Sequence, residues 1–250
     1  MTDLNLAVIA DIHGNRWALE AVLDNLALWG VEQIIDLGDS VYGPLDPAGT
    51  AQILIDRRIR SVRGNQDRII IDRPAREADN PTLAYVRRSL ERDHIDWLAA
   101  LEPTAVIENT ILACHGTPWD DDAYLLEEVS DRGVRARTAS ELDALLAAQE
   151  QKAIVCGHSH SPRTVYLPGG RLAANPGSVG LPAYTDETPH PHAMENGTPH
   201  ARYCKVLAND EGIWVENFAV PYDWEAAAER AIANGRPDWA EWLRTGCAGR

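Results

Sequence analysis

Apolar residues follow two rhythms along this chain. The first is a short, nearly unbroken run, Leu4-Asn5-Leu6-Ala7-Val8-Ile9-Ala10, which leads straight into Asp11-Ile12-His13-Gly14-Asn15. A run of that length bounded by a turn signal predicts a strand buried on both faces, with Asp11 and His13 at its carboxyl end. The second rhythm is helical. Between Arg16 and Trp29 the residues Leu19, Val22, Leu23 and Leu26 share one face, Asn15 stands before them as an N-cap, and Gly30 ends the pattern.

The alternation continues. Val31 to Leu37 predicts a second strand, delivering Gly38-Asp39-Ser40; Pro47 to Arg57 a helix; and Ile59 to Val62 a third strand, delivering Arg63-Gly64-Asn65-Gln66-Asp67-Arg68. Asp72 to Pro81, charged and containing two prolines, reads as a surface connection, and helices are expected over Pro81 to Arg92 and Asp93 to Ala100. Thr104 to Glu108 and Thr110 to Ala113 read as paired strands ending in Cys114-His115-Gly116. Helical segments are expected over Asp120 to Val129 and over Ser140 to Gln149, the second capped by Ser140. Lys152 to Cys156 is a strand that opens into Gly157-His158-Ser159-His160, followed by a hairpin from Thr164 to Ala174 and a rigid loop at Asn175-Pro176-Gly177-Ser178-Val179-Gly180. Leu181 to His200, with four prolines and no periodicity, predicts a long irregular loop. A hairpin from Arg202 to Ala219 and helices over Asp223 to Ala233 and Pro237 to Leu243 close an α/β chain, expected to form a single domain over residues 1–250.

Composition narrows the partners. With 250 residues and a formal net charge of −15, the chain is unsuited to general phosphate neutralisation on nucleic acid or to an anionic membrane surface. Any phosphate must therefore be held locally. No signal-peptide pattern opens the chain and no apolar stretch approaches a membrane span, so a soluble, cytoplasmic protein is expected. Four scattered cysteines, Cys114, Cys156, Cys204 and Cys247, make no disulfide framework. Cys114 and Cys156 read as core thiols.

Polar residues gather at the carboxyl ends of successive strands, where open α/β sheets place their ligands. They are Asp11, His13, Asp39, Asn65, His115, His158 and His160. Singly, each has an ordinary role: Asp11 and Asp39 as caps, His115 as a turn residue, Asn65 as a left-handed residue beside Gly64. Together they suit two metal ions, with Asp39 the candidate for the shared carboxylate. Oxygen and imidazole donors without thiolates favour manganese or iron, with zinc, cobalt and nickel as alternatives. His94 reads as a solvent-facing residue at a helix start. His190, His192 and His200 read as solvated loop residues, with a lid over the site as the alternative. Tyr42 and Trp119 follow ligand motifs and either line a pocket or pack.

The ordered set Asp-x-His, Gly-Asp, Gly-Asn-x-Asp, His-Gly and Gly-His-x-His, spanning Asp11 to His160, resembles the calcineurin-like metallophosphoesterases. Asn175-Pro176-Gly177-Ser178 and the section Ala201 to Arg244 are similar to the prokaryotic phosphodiesterase branch of that superfamily. The resemblance implies a four-layer α/β/β/α sandwich. It also implies one ion held by Asp11, His13, Asp39 and His160, and a second by Asp39, Asn65, His115 and His158. The implied reaction is phosphodiester hydrolysis of a small phosphate ester by in-line attack of a metal-bridging hydroxide, with Asp39, Asn65, Gln66 and Asp67 at the catalytic centre. Asn15, Tyr42, Arg63 and Arg68 lie within sequence reach as substrate contacts. Most members carry histidine where this chain has Gln66, and glutamine cannot act as a general acid near neutral pH. Alternatives within the likeness are a serine/threonine phosphoprotein phosphatase, a dinucleoside polyphosphate hydrolase, and a non-catalytic scaffold on the same fold.

Overall fold

The computed structural model describes residues 4–72 and 80–249. The first half of the chain builds β1 (Leu4–Ile9), α1 (Arg16–Leu28), β2 (Gln33–Asp36), α2 (Pro47–Asp56), β3 (Arg60–Ser61) and three helices, α3 (Asn65–Asp72), α4 (Pro81–Ser89) and α5 (Arg92–Ala99). Next come β4 (Thr104–Ile107), β5 (Ile111–Cys114), the hairpin β6 (Glu127–Ser130) and β7 (Gly133–Ala136), α6 (Ala139–Leu145), β8 (Ala153–Val155), β9 (Arg163–Leu167) and β10 (Arg171–Asn175). The last part contains the hairpin β11 (Ala183–Asp186) and β12 (His192–Glu195), then β13 (Ala201–Ala208), β14 (Ile213–Val220), α7 (Trp224–Ala233) and α8 (Pro237–Thr245).

Two five-stranded sheets face each other, in the orders β14-β13-β1-β2-β3 and β4-β5-β8-β10-β9. The period of two along a strand decides what each face meets. Leu4, Leu6, Val8 and Ala10 point between the sheets, against Ile111, Ala113, Val155 and Ala174 of the other sheet. Their alternates Ala7 and Ile9 point outward and are covered by Leu19, Val22, Leu23 and Leu26 of α1. On the far sheet, Leu112, Cys114, Ile154 and Cys156 turn outward onto Leu142 and Leu146 at α6. Helix, sheet, sheet, helix is the resulting order, the four-layer sandwich expected. Buried on both faces, β1 pairs in parallel with β2 and antiparallel with β13, and its carboxyl end opens towards the same edge as those of β2, β5 and β8. The helices α7 and α8 pack around Leu45, Leu181 and Ala183 beside that edge.

Several local expectations are corrected. Asp120 to Val129 is not a helix: the Thr117 N–H donates to the Asp120 carbonyl and the Asp122 N–H to the Asp120 carboxylate in local turns, Leu125 and Leu126 are buried, and Glu127 then begins β6. The second expected helix is confined to Ala139–Leu145, capped by Thr138 rather than Ser140, with Glu141 completing a capping box. Leu181 to His200 is not irregular throughout. It contains β11 and β12, with Tyr184 opposite Met194, and the prolines 189 and 191 sit in the connection between them. The helix expected to run to Arg92 ends at Ser89, while α3, not expected at all, starts on the metal motif at Asn65. His94 is buried rather than solvent-facing: Nδ1 accepts the Glu91 N–H at 3.2 Å and Nε2 meets the Gln52 side chain at 3.3 Å. Most of the expected connection from Asp72 to Pro81 lies outside the described residues.

Candidate metal centre

Asp11 and His13 follow β1, Asp39 follows β2, Asn65 follows β3, His115 follows β5, and His158 and His160 follow β8. Five of these leave ordinary backbone space, with φ of 55° at Asp11, 52° at His13, 53° at Asp39, 67° at His158 and 56° at His160. The left-handed region costs a non-glycine residue on the order of 1–3 kcal/mol and persists only where the surroundings enforce it. Here the enforcement is visible. The Asp11 and His13 N–H groups donate to the Gly38 and Asp39 carbonyls at 3.0 and 2.9 Å, and the Gly157 N–H donates to His115 at 2.7 Å. Across the sandwich, the Ser178 hydroxyl donates to the Asp11 carbonyl at 2.7 Å, and the Val179 N–H to that of Ala10 at 2.9 Å. The buried Asp67 carboxylate collects the N–H groups of Asp39, Ser40 and Gly64 at 2.8, 3.1 and 3.0 Å. Glycine is required where these loops touch: a methyl group on Gly64 would stand 2.2 Å from Asp39 Oδ1.

The imidazoles are oriented from behind. His13, His115 and His160 donate Nδ1–H to the carbonyls of Tyr42, Leu37 and Leu181 at 2.9, 2.9 and 2.7 Å. With Nδ1 engaged, each ring turns its Nε2 inward, the arrangement that metal-binding histidines use. His13 Nε2 and His160 Nε2 lie 3.0 Å apart, and His115 Nε2 lies 3.1 Å from Asn65 Oδ1, whose amide nitrogen already donates to Asp122 Oδ1 at 2.8 Å. In each pair a proton or a cation must stand between the two inward atoms, and a set of imidazole nitrogens with carboxylate and amide oxygens fits metal cations in that place. Among the described residues the inward donor atoms form two overlapping groups, Asp11-His13-His160 and Asp11-Asp39-His115, each with its atoms within 4.8 Å of one another.

Electrostatics agree. Burial, reinforced by His160, drives the His13 ring down to about 3, and burial with His115 does the same to His158, so both rings are neutral at physiological pH, the form a metal ligand needs. Burial pushes the Asp11 carboxyl up, but His160 and the other imidazoles outweigh it and hold it at about 2. Asp39 goes the other way, raised first by burial and then by the charge of Asp11. Two carboxyl groups so close resist joint ionisation without a cation between them.

A family model for the calcineurin-like phosphoesterase superfamily domain matches residues 4–194. The chain belongs to that superfamily. Among solved structures, a metallophosphoesterase from Sphaerobacter thermophilus aligns with a TM-score of 0.75 at 22% identity, over 97% of this chain and 100% of that one. A hypothetical protein from Pyrococcus horikoshii aligns with a TM-score of 0.73 at 20% identity, over 97% and 98%. An uncharacterized protein of Methanocaldococcus jannaschii is 25% identical over 261 residues, 94% of each chain.

Within this calcineurin-like phosphoesterase the expected ligands converge, and the expected substrate contacts divide. Tyr42 and Gln66 line a cavity of about 190 Å³ with His13, Asp39, Asn65 and His160. Arg63 instead lines a groove behind His115, beside Trp119. Arg68 is bound to Asp121 at 2.8 and 2.7 Å and to Asp122 at 2.7 Å. Asn15 is fully buried, its oxygen capping α1 at Ala18 and its nitrogen donating to the Gly180 carbonyl and Tyr222 hydroxyl at 2.9 and 3.1 Å. Residues absent from the sequence reading are Asp122, whose carbonyl takes His158 Nε2–H at 3.0 Å, and Tyr124 and Tyr184, whose rings pack on His158 and His160 with centroids 4.7 and 4.5 Å apart. Arg236, Trp239 and Trp242 from the C-terminal helices also reach the smaller cavity. Nothing in their local spacing marked them, since loops and helices distant in the chain bring them in. No helix among the described residues is long and apolar enough to cross a membrane.

Proposed function

We infer that this chain is a binuclear-metal phosphodiesterase acting on a small phosphate ester. The observation that carries the reading is the meeting of buried donor atoms at one edge, His13 Nε2 with His160 Nε2 at 3.0 Å on left-handed backbone and His115 Nε2 with Asn65 Oδ1 at 3.1 Å. A scaffold protein would have no use for that strain, which favours an enzyme over a non-catalytic relative. One ion would be held by Asp11, His13, Asp39 and His160, and the other by Asp39, Asn65, His115 and His158. Asp11 is common to both groups of donor atoms, while the family likeness and the place of Asp39 on the smaller cavity support Asp39 as the shared carboxylate. Manganese or iron, or zinc, cobalt or nickel, bound there would lower the pKa of water towards neutrality and offset charge on the phosphoryl oxygens.

The chain's own groups then position the ester. Asp67 fixes the loops that carry Asp39 and Asn65. Gln66 anchors Asp39 through its N–H at 2.9 Å, while its side-chain Oε1 is buried without a partner. An amide there can orient an ester but cannot protonate a leaving group, so activated esters are the better substrates. Asn65, His158 and Asp186 line both the smaller cavity and a larger one of about 680 Å³. A phosphate beside Asn65 and His158 has space on two sides, which supports a diester over a monoester. The buried thiols Cys114, Cys156 and Cys204 suit a reducing, cytoplasmic setting.

The test is metal removal by chelator, then assay of bis-nitrophenyl phosphate and of nitrophenyl phosphate. Activity should vanish, return with manganese or a similar ion, and favour the diester. Full activity in chelator would overturn the mechanism, and preference for the monoester would overturn the substrate class.

A further inference from the structure

The larger cavity has the size of pockets that enclose a small organic group. It starts at Asn65 and His158 and is walled by Asp122, Glu127, Glu128, Arg137 and Asp186. Two of these side chains hold polar atoms with nothing to bond. Glu127 is only 6% exposed and is hydrogen-bonded by Ser159, yet its Oε2 has no partner, and Arg137 Nε has none either. Leaving such atoms unsatisfied is costly. One is an acceptor and the other a donor, and a hydroxyl group answers both needs.

Charge narrows the ligand further. Asp122 is paired with Arg68 and Glu128 with Arg135, neither of which lines the cavity. Asp186 accepts the N–H and hydroxyl of Thr188, both at 2.9 Å. Glu127 and Asp186 set two carboxylates against Arg137 in the wall and Arg163 behind Glu127, so the cavity has no surplus cation for a second anion and tolerates an uncharged group.

We propose that this cavity binds an uncharged polyhydroxylated substituent of the phosphate, selected by Glu127 and Arg137. The assignment rests on the phosphoester reading above and sharpens it, because a polyphosphate chain finds no surplus cation among the side chains on this side of the site. The experiment uses phosphonates, whose carbon–phosphorus bond a phosphoesterase does not cleave. Manganese-loaded protein is titrated calorimetrically with dihydroxypropylphosphonate, propylphosphonate and carboxyethylphosphonate. The dihydroxypropyl compound should bind about tenfold more tightly than the propyl one, the scale of one or two well-made hydrogen bonds, and the carboxyethyl compound more weakly than either. Arg137→Met should bring the first two within about twofold, and Glu127→Gln should reduce the penalty on the carboxylate, with metal content confirming that each variant is folded. Equal binding of all three, tightest binding of the carboxylate, or a hydroxyl preference that survives both substitutions would overturn the assignment. Bis-nitrophenyl phosphate turnover is measured beside it. A flat phosphonate series with intact turnover removes this inference alone, and a clear series without turnover removes the diesterase reading alone.

Discussion

The inner and outer parts of the site are held by different means. At the inside, His13, His115 and His160 lean on backbone carbonyls, and their own backbones are tied to neighbouring strand ends. At the rim, contacts run between side chains: Arg68 to Asp121 and Asp122, Asn65 to Asp122, Tyr124 to Tyr184 at 2.6 Å and to His192 at 2.9 Å. Backbone carbonyls are present whatever the side chain, so the inner geometry belongs to the fold. Side-chain contacts can be exchanged residue by residue, so the rim can change its ligand without disturbing the chemistry inside.

That contrast can be broken at its strongest point first. His13→Ala should remove one ion and nearly all turnover, more than the roughly 10–100-fold typical of losing an outer-shell partner; metal analysis and a diester assay measure it, and near-normal metal content would end the ligand assignment. Asp67→Asn touches no substrate but leaves at least one of three buried N–H groups without its carboxylate partner, so a loss of about 1–3 kcal/mol in denaturant stability is expected, with weaker metal binding. Unchanged stability and metal affinity would mean the inner loops do not depend on this clamp.

A third measurement asks how far the strain extends behind the ligands. Asp36, buried beneath the Gly38 turn, is pushed up to about 7 by burial, partly offset by its bond to Ser40. A carboxyl raised in the folded state contributes its stability at acid pH and loses it as pH rises towards 7. The melting temperature of Asp36→Asn relative to the parent should therefore rise between about pH 4 and pH 7 and level off above, as calorimetry would show; a difference independent of pH would refute the shift. The smallest effect belongs to the rim. Arg68→Met should alter KM by a few-fold and leave kcat and metal content nearly unchanged, because the ion pairs it breaks are partly exposed. A collapse in kcat would place Arg68 with the inner group.

The candidate ligands were legible because each follows an apolar strand, and a period-two run points its end at one edge of the sheet. Asp11, His13, Asp39 and His115 needed no more than that. The β6–β7 and β11–β12 hairpins were missed for a physical reason: short strands at the rim carry little apolar patterning, so Glu127 and Tyr184 looked like members of a polar helix and a loop. The ion pairs of Arg68 could not be read locally because its partners lie 53 and 54 residues further along the chain.

Taken alone, the sequence determined an α/β chain with Asp, Asn and His at successive strand ends and, through those motifs, the family whose likeness implied the two-sheet sandwich, since hydrophobic period and residue order at strand ends are local properties. Only the tertiary structure decided which histidine nitrogens face inward, that five candidate ligands sit in the left-handed region, that the Asn15 amide also ties Gly180 and Tyr222, and that Glu127 and Arg137 line one cavity beside the candidate metal centre. Those outcomes depend on contacts between segments far apart in the chain, and no local pattern encodes them.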